Sequence, residues 1–555
     1  MIDKLKNRKL KVTLRPNMQV TVKYGTKAYD VLNTLDTDMS NVLGVRVNNS
    51  VRNLDYELVA DTLLETVNFD SADGYRIYIR TVKFILYMAL RRLYNDLDIE
   101  VCNTIGGTIY FICKNKEFTE LMAEEILKEM RSIVSNNSSF KRCVVTYEEA
   151  KYLFEQSKDV EALDSINVKM SSYITLYTCE NMYGLTDGIL APSAAYTKDF
   201  NIKKFRRGFA LLVPKQNDIT KIEKNVTENP LYKVFEDEED FLDNINVRSV
   251  NELNNIIITG KTKEIVKICE AKHANKMAEL IADVKKKGRK RLFLIAGPSS
   301  SGKTTFAGKL CTNLKLIGYN PIVISMDNYF KERVDTPKQA NGEYDFETID
   351  ALDMKLFNSH MKKLFNGEAV EIPEFNFLAG EKEYRGNVLK LEERDCLVLE
   401  GIHALNPELL KDIDDGLKYK IYIAPMTTLN IDDFSKVSTT DTRMLRRIVR
   451  DYYTRGHRVD KTLSMWSNLM RGESKYIYPY IACADYIYNT SLAYEIGALR
   501  TFAEPLLLQI DPTNEYFSEA RRLYTFIQKF LPTETSEIPT NSIIREFIGN
   551  ASLKI

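Results

Sequence analysis

At roughly 100–200 residues per domain, a chain of 555 residues has room for about three or four domains. Its hydrophobic share of 44% and charged share of 28% exclude a globally disordered protein. Lys plus Arg and Asp plus Glu each number 77, so the formal net charge is zero. That balance excludes a protein that coats nucleic acid nonspecifically and leaves room only for a local basic patch. No apolar run approaches the roughly 18–20 residues that a membrane span needs, Phe84–Leu90 being among the longest. The opening residues carry positive charge without an apolar core, and the eight cysteines are scattered with no CxxC pair. The expectation is a cytoplasmic protein with reduced thiols and no membrane partner.

The first elements alternate apolar and polar residues, at Leu10–Leu14 and Val20–Gly25, and predict a hairpin. A short helix follows at Ala28–Leu35, then strand-like text around Val45 and Leu58, closing a small α+β unit near Asn68. Val82, Ile85, Leu86, Ala89, Leu90 and Leu93 form a helical stripe over Thr81–Tyr94. Ile105–Cys113 reads as a strand pair, and Glu117–Ser135 and Tyr147–Gln156 as helices. The stretch Lys215–Asn251, with Pro230 and the acidic run Glu236–Asp240, reads as a linker or peripheral arm. A helix from Glu264 to Lys287 then ends in the basic cluster Lys285–Arg291. That cluster reads first as a solvated helix end, where cations meet the negative end of the dipole, with RNA contact as the alternative.

Leu292–Leu310 is the most informative stretch. The apolar strand Leu292–Ala296 runs into Gly297, Pro298, Ser299, Ser300, Ser301, Gly302, Lys303, Thr304 and Thr305, and then into a helix. This is GxxxxGK[ST] in the strand–loop–helix context that gives the pattern its meaning. The two glycines let successive backbone N–H groups turn toward phosphate oxygens. The helix start adds its dipole, Lys303 brings a cation to the β- and γ-phosphates, and the Thr304 hydroxyl is suited to Mg²⁺. The expected ligands of the loop are a nucleoside triphosphate and Mg²⁺.

Two more buried-strand patterns follow. Pro321–Met326 ends in Asp327, a carboxylate at the tip of a strand, where ligands bind in open α/β sheets and where it could take the proton of an attacking hydroxyl. Cys396–Leu399 ends in Glu400, the position of a Walker-B carboxylate for Mg²⁺. His403, just beyond, reads as a local hydrogen-bonding residue. Asp441–Arg458 reads as a helix with Arg443, Arg446, Arg447 and Arg450 near helical spacing. Guanidiniums there suit phosphate clamping by a lid, and a solvated face paired with Asp441 and Asp451 is the bland alternative.

With GPSSSGKTT, SMDNYF, GEYDF, VLEGIH, DTRMLRRIVRD, RGH and ADYIYN in this order, the chain from about Arg289 to Ser491 resembles the uridine kinase and phosphoribulokinase family of P-loop kinases. The resemblance implies a doubly wound, mostly parallel sheet. It implies Asp327 as the base, Thr304 and Glu400 at Mg²⁺, and Arg443, Arg446 and Arg450 in the lid; Asp327, Lys303 and Arg446 form the expected catalytic set. The acceptor pocket departs from the uridine kinase pattern. Phe375 and Gly380 stand where that family has a Tyr and a His, and Glu347 stands where it has an Asp. A site that loses hydrogen bonds to a base loses selectivity for it, so the acceptor stays open.

Residues 8–68 resemble a TGS domain, and residues 69–214 resemble the second additional, editing domain of threonyl-tRNA synthetases, through RTVKFILYMALRRLY. The HxxxH pair of that editing domain is here Phe84 and Met88, Cys179 matches its Cys, and Tyr183 replaces its last His. None of the four histidines precedes His273, so editing chemistry by histidine is unavailable in this half and Cys179 reads as a small buried hydrophobe. The expected division is 8–68 and 69–214 as these two units, 215–288 as linker and helix, 289–497 as the P-loop kinase unit, and 498–555 as a helical extension. The expected activity is transfer of the ATP γ-phosphoryl to the 5′-hydroxyl of a nucleoside-like acceptor. A nucleotide-controlled, RNA-binding regulatory protein that uses the N-terminal half is the alternative. Donor preference and oligomeric state, homo-oligomer included, are left open by the sequence.

Overall fold

The computed structural model describes residues 8–14, 18–35, 37–169, 171–216, 218, 221–339, 342, 344–376, 379–432 and 434–553. Glu343 of the GEYDF segment and Phe377 and Leu378 of the acceptor segment lie outside the described residues. In the first unit, β1 (Lys9–Leu14) and β2 (Met18–Lys23) form the expected hairpin, followed by α1 (Ala28–Thr34), β3 (Val42–Val47), β4 (Ser50–Arg52) and β5 (Thr62–Asn68). The sheet order is β2-β1-β5-β3-β4, with the parallel β1–β5 pair at its centre. Alternate residues Leu10 and Val12 point inward onto Ala28, Val31 and Leu32 of α1, which is why the pattern reads so clearly in the sequence.

The second unit contains α2 (Ala72–Leu93), β6 (Ile99–Ile105), β7 (Thr108–Cys113), α3 (Glu120–Ser135), β8 (Lys141–Thr146), α4 (Tyr147–Ser157) and α5 (Val160–Lys169). It continues through β9 (Tyr173–Cys179), β10 (Met182–Gly184), β11 (Asn201–Phe205) and β12 (Gly208–Leu212). Two antiparallel sheets result, β11-β12-β7-β6 and β10-β9-β8. Helix α2 starts nine residues before the predicted stripe, because the Ser71 hydroxyl caps it by accepting from the Gly74 N–H at 3.0 Å. Phe84, Met88 and Cys179 are all buried in the core of this unit. Burial pushes the Cys179 thiol up to about 11, in keeping with a packing role.

The stretch read as a linker instead carries α6 (Leu231–Asn244) and α7 (Val250–Ile258), ahead of α8 (Thr262–Lys286). Its acidic run is not a solvated arm, because the tertiary fold supplies partners that are remote in sequence. Arg206 donates to both oxygens of Glu236 at 2.9 and 2.7 Å, Lys272 pairs with Glu238, and Lys114 lies 3.7 Å from Glu239. Tyr232 and Phe235 of the same helix are buried.

The C-terminal half is built on β13 (Leu292–Ala296), α9 (Lys303–Leu316), β14 (Asn320–Ser325), α10 (Met354–Phe365), β15 (Asp395–Glu400) and β16 (Lys418–Ala424). Then come α11 (Thr439–Arg455), α12 (Val459–Tyr476), β17 (Tyr486–Asn489), α13 (Glu495–Leu507), α14 (Phe517–Ile527) and the short α15 (Arg545–Ile548). The sheet order is β14-β15-β13-β16-β17, and every pair is parallel. Both faces are covered. Phe293 and Ile295 pack with α8, α9, α11 and α13, whereas Leu292 and Leu294 pack toward α10 and Tyr422. The same core also takes Leu523, Ile527, Ile544 and Phe547, so the C-terminal helices belong to the body of this half. Because all five strands run the same way, the residues that follow β13, β14 and β15 emerge along one edge.

Candidate active site

That edge collects the phosphate loop, Asp327 and Glu400. The loop leaves β13 at Gly297, where a Cβ would collide with the Ile423 carbonyl, and enters α9 at Gly302, whose φ is +91°. Ser300 also adopts a positive φ of 59°. Two left-handed residues in one turn aim consecutive N–H groups into the same concavity, an anion nest. The hydroxyls of Ser300 and Ser301 are buried there without a hydrogen-bond partner. Lys303 folds back over its own loop, donating to the carbonyls of Gly297 at 3.0 Å and Pro298 at 3.2 Å, and Thr304 is exposed at the mouth. Glycines where a side chain would clash, orphaned hydroxyls and a lysine held only by carbonyls suit a polyphosphate.

Three carboxyls face this loop. Ser325 donates to Glu400 at 3.0 Å. Burial pushes the Glu400 carboxyl up to about 7, and the neighbouring Asp327 adds to the shift while Lys303 opposes it. Asp327 is raised by burial against the pull of Lys303, Arg455 and Arg450. Glu347 is pushed up to about 7 by burial and by the negative charge of Glu473. Hard oxygen donors at Thr304 and Glu400, with carboxyls that crowd one another, fit Mg²⁺.

Arginines expected as one lid separate into two groups. Arg443 and Arg446 are fully buried and hold the loop from behind rather than closing over it. Arg443 donates through Nε to the Ser299 carbonyl at 2.9 Å and pairs with Glu473. Arg446 pairs with Glu495 at 2.6 Å, reaches the carbonyls of Ser300 and Thr490 at 3.4 and 2.9 Å, and stacks on Phe547. All three nitrogens of Arg446 are engaged, and both guanidiniums are buried, so neither is placed to close over the loop, which corrects the lid assignment for these two. Arg447, also buried, donates to the Ser299 hydroxyl at 2.6 Å, and Arg447, Arg450 and Arg455 converge on buried Asp451. The charges of Arg450 and Arg455 also reach Asp327, and that of Arg447 reaches Glu347.

Two functional neighbours carry no local sequence signal. Glu473, from α12, accepts from the Ser299 N–H at 3.1 Å. Glu546, from α15, accepts from the N–H of Thr305 at 3.2 Å and from its hydroxyl at 3.0 Å. Both carboxylates occupy loop donors that suit a phosphate, and only the tertiary fold brings them there. On the acceptor side, Phe375 is buried and T-shaped to Phe330, with ring centroids 5.8 Å apart. Arg333 covers Gly380, its Nε 2.8 Å from where a Cβ would stand, and His403 is buried beside Tyr476. Among the described residues, no group of three or more His, Cys, Asp or Glu is arranged to hold a metal ion, and no helix is long and apolar enough to cross a membrane.

Comparison with known proteins bears on residues 292–493, which match the model of the phosphoribulokinase/uridine kinase family. A uridine kinase of Staphylococcus haemolyticus is 29% identical over 194 residues, 35% of this chain and 84% of that protein. A uridine kinase of Halobacterium salinarum is 30% identical over 180 residues, 32% of this chain and 69% of that protein. A solved structure described as a possible uridine kinase from Bacillus stearothermophilus aligns with a TM-score of 0.28 at 16% identity, covering 39% of this chain and 98% of its own. The match of residues 292–493 to the family model and the identity to the Halobacterium salinarum uridine kinase place the chain, through its C-terminal half, in the phosphoribulokinase/uridine kinase family.

Proposed function

We propose that the protein transfers the γ-phosphoryl of ATP to a hydroxyl, with a nucleoside 5′-hydroxyl as the favoured acceptor. The observation that carries this reading is the convergence of Asp327, Glu400 and Lys303 on one loop, because a nucleotide switch needs no carboxylate for an acceptor alcohol. The uridine kinase relatives support the acceptor class. In this reading, the loop N–H groups and Lys303 hold the phosphates, and Arg450 and Arg455 stabilise charge that grows on the transferring group. Mg²⁺, held by the oxygens of Thr304 and Glu400, would neutralise phosphate charge. Burial raises the basicity of Asp327, which suits it to take the proton of the attacking hydroxyl. Glu347 lies beside it on the acceptor side, where its carboxylate can orient a sugar hydroxyl.

The test is ADP release from Mg·ATP against pyrimidine and purine nucleosides, pantothenate and sugar phosphates, with Lys303→Ala as the blank. Acceptor-dependent turnover is expected with one class. Asp327→Asn should lower kcat by about 10²–10⁴-fold with little change in ATP binding. Wild-type turnover in that variant would refute the base assignment.

A further inference from the structure

A second cavity, of 1290 Å³, lies away from the phosphate loop, where the two N-terminal units meet the C-terminal half. Its walls come from β4 and the turn after it, from the first turns of α2, from the loop 185–189, and from α14 together with the start of α11. Small-molecule sites usually measure about 300–1,000 Å³, so this space has room for a nucleotide-sized ligand. Four guanidiniums line it without an ion-pair partner among the described residues. Arg80 donates to the Ile189 carbonyl at 2.8 Å, and Arg142 makes one 3.4 Å contact with the Thr175 hydroxyl. Arg52 lies over the Tyr56 ring and Arg521 over the Tyr524 ring. Among the cavity's other charges, Lys529 pairs with Asp187, Arg522 with Asp441 and Arg76 with Asp73, while Asp55, Glu57, Asp432 and Lys436 also line it, and Asp187 acts electrostatically on Arg80. With eight Lys and Arg side chains against six Asp and Glu in the lining, cations outnumber carboxylates, and the guanidiniums among them suit phosphate, which they grip with two parallel hydrogen bonds.

One wall of this cavity is tied to the phosphate loop. A continuous chain of ion pairs runs Arg46–Asp73–Arg76–Glu519–Arg522–Asp441, with contacts of 2.6, 2.9, 2.7, 2.7 and 2.6 Å. Asp441 lies in the first turn of α11, and Arg443, Arg446 and Arg447 in the next turns bond to Ser299 and Ser300. A rigid helix thus has its start in the cavity wall and its middle on the loop.

We propose that this cavity binds a phosphate-bearing ligand of nucleotide chemistry, either a free nucleotide or the end of an RNA strand, and that its occupancy alters nucleotide affinity at the loop through α11. The coupling rests on the reading of Gly297–Thr305 as the ATP phosphate site, whereas binding in the cavity does not. The experiment uses the full-length protein, a fluorescent nucleoside monophosphate and a fluorescein-labelled RNA hexamer, each titrated with the loop saturated by Mg²⁺ and a non-hydrolysable ATP analogue. Micromolar binding of one probe, weakened about tenfold or more by Arg80→Gln and by Arg142→Gln, is expected, and the probe that binds identifies the source. If Arg80→Gln fails to fold, the rim variants Arg142→Gln and Arg52→Gln serve alone. Bound probe should change ATP affinity by about fivefold or more, reciprocally, and Asp441→Asn should abolish that change while probe binding persists. Neither probe binding below about 1 mM, or binding indifferent to the arginine variants, would overturn the site. ATP affinity unchanged by bound probe would overturn the coupling. Failure of the kinase reading shows separately, as absent Lys303-dependent ATP binding with cavity binding intact.

Discussion

Glu400 and Glu546 show how single carboxylates set the chemistry of the loop. Burial raises Glu400 from its ordinary 4.5 to about 7, so the folded protein binds a proton that the unfolded chain has already released. The sign follows from linkage: metal-free stability falls as pH rises from about 4.5 to about 7 and levels off above that. Mg²⁺ requires the deprotonated form, so its affinity should rise between about pH 6 and 8. Thermal unfolding across pH with and without Mg²⁺ checks this, and Glu400→Gln should make the metal-free slope shallower, Glu347 keeping its own share. Glu546 occupies the Thr305 donors as a negative charge beside the expected polyphosphate. Glu546→Gln keeps an acceptor oxygen but removes that repulsion. ATP affinity should then improve by about fivefold, equivalent to ~1 kcal/mol, in a fluorescent-nucleotide titration.

Helix α11 and the loop form the next level. The buried pair Arg446–Glu495 gives α11 a structural task, and truncating one member leaves a charge uncompensated in the interior. Arg446→Ala should therefore cost about 3–5 kcal/mol in urea unfolding, and adding Glu495→Ala should recover part of the loss. A lid arginine would behave otherwise, lowering kcat with stability unchanged. The loop itself depends on Gly302. Alanine there would pay about 1–2 kcal/mol for the left-handed backbone, and its Cβ would stand 2.6 Å from Ile543. Gly302→Ala should thus lower both stability and ATP affinity.

Across the whole molecule, the segment that matches the family ends before the core does. Leu523, Ile527, Ile544 and Phe547 share a core with Phe293 and Ile295, and Asn254 of α7 bonds to the backbone of Lys529 and Leu531. Residues 289–497 expressed alone would expose that apolar surface and leave Arg446 without Phe547. Such a fragment should aggregate or unfold non-cooperatively, as read by size-exclusion chromatography and thermal denaturation, whereas the full chain should not.

The sequence by itself determined the phosphate loop, the parallel strands that feed it and the carboxylates at their tips. Each of these is local: a glycine spacing, an apolar run, and a residue at its end, all set by backbone sterics and burial of two sheet faces. It also determined the N-terminal hairpin and α1, where alternation and helical spacing are undisturbed. Only the tertiary structure decided which carboxylate holds each arginine of α11, because four guanidiniums at near-helical spacing look alike until Glu473, Glu495 and Asp451 arrive from elsewhere or from within the helix to claim them. Likewise, Glu236–Asp240 reads as a solvated run because Arg206, Lys114 and Lys272, which make it a buried helix face, are distant in the chain. A charge shows its identity in the sequence, but its partner, and hence whether it binds a ligand or holds the fold, is a property of the folded chain.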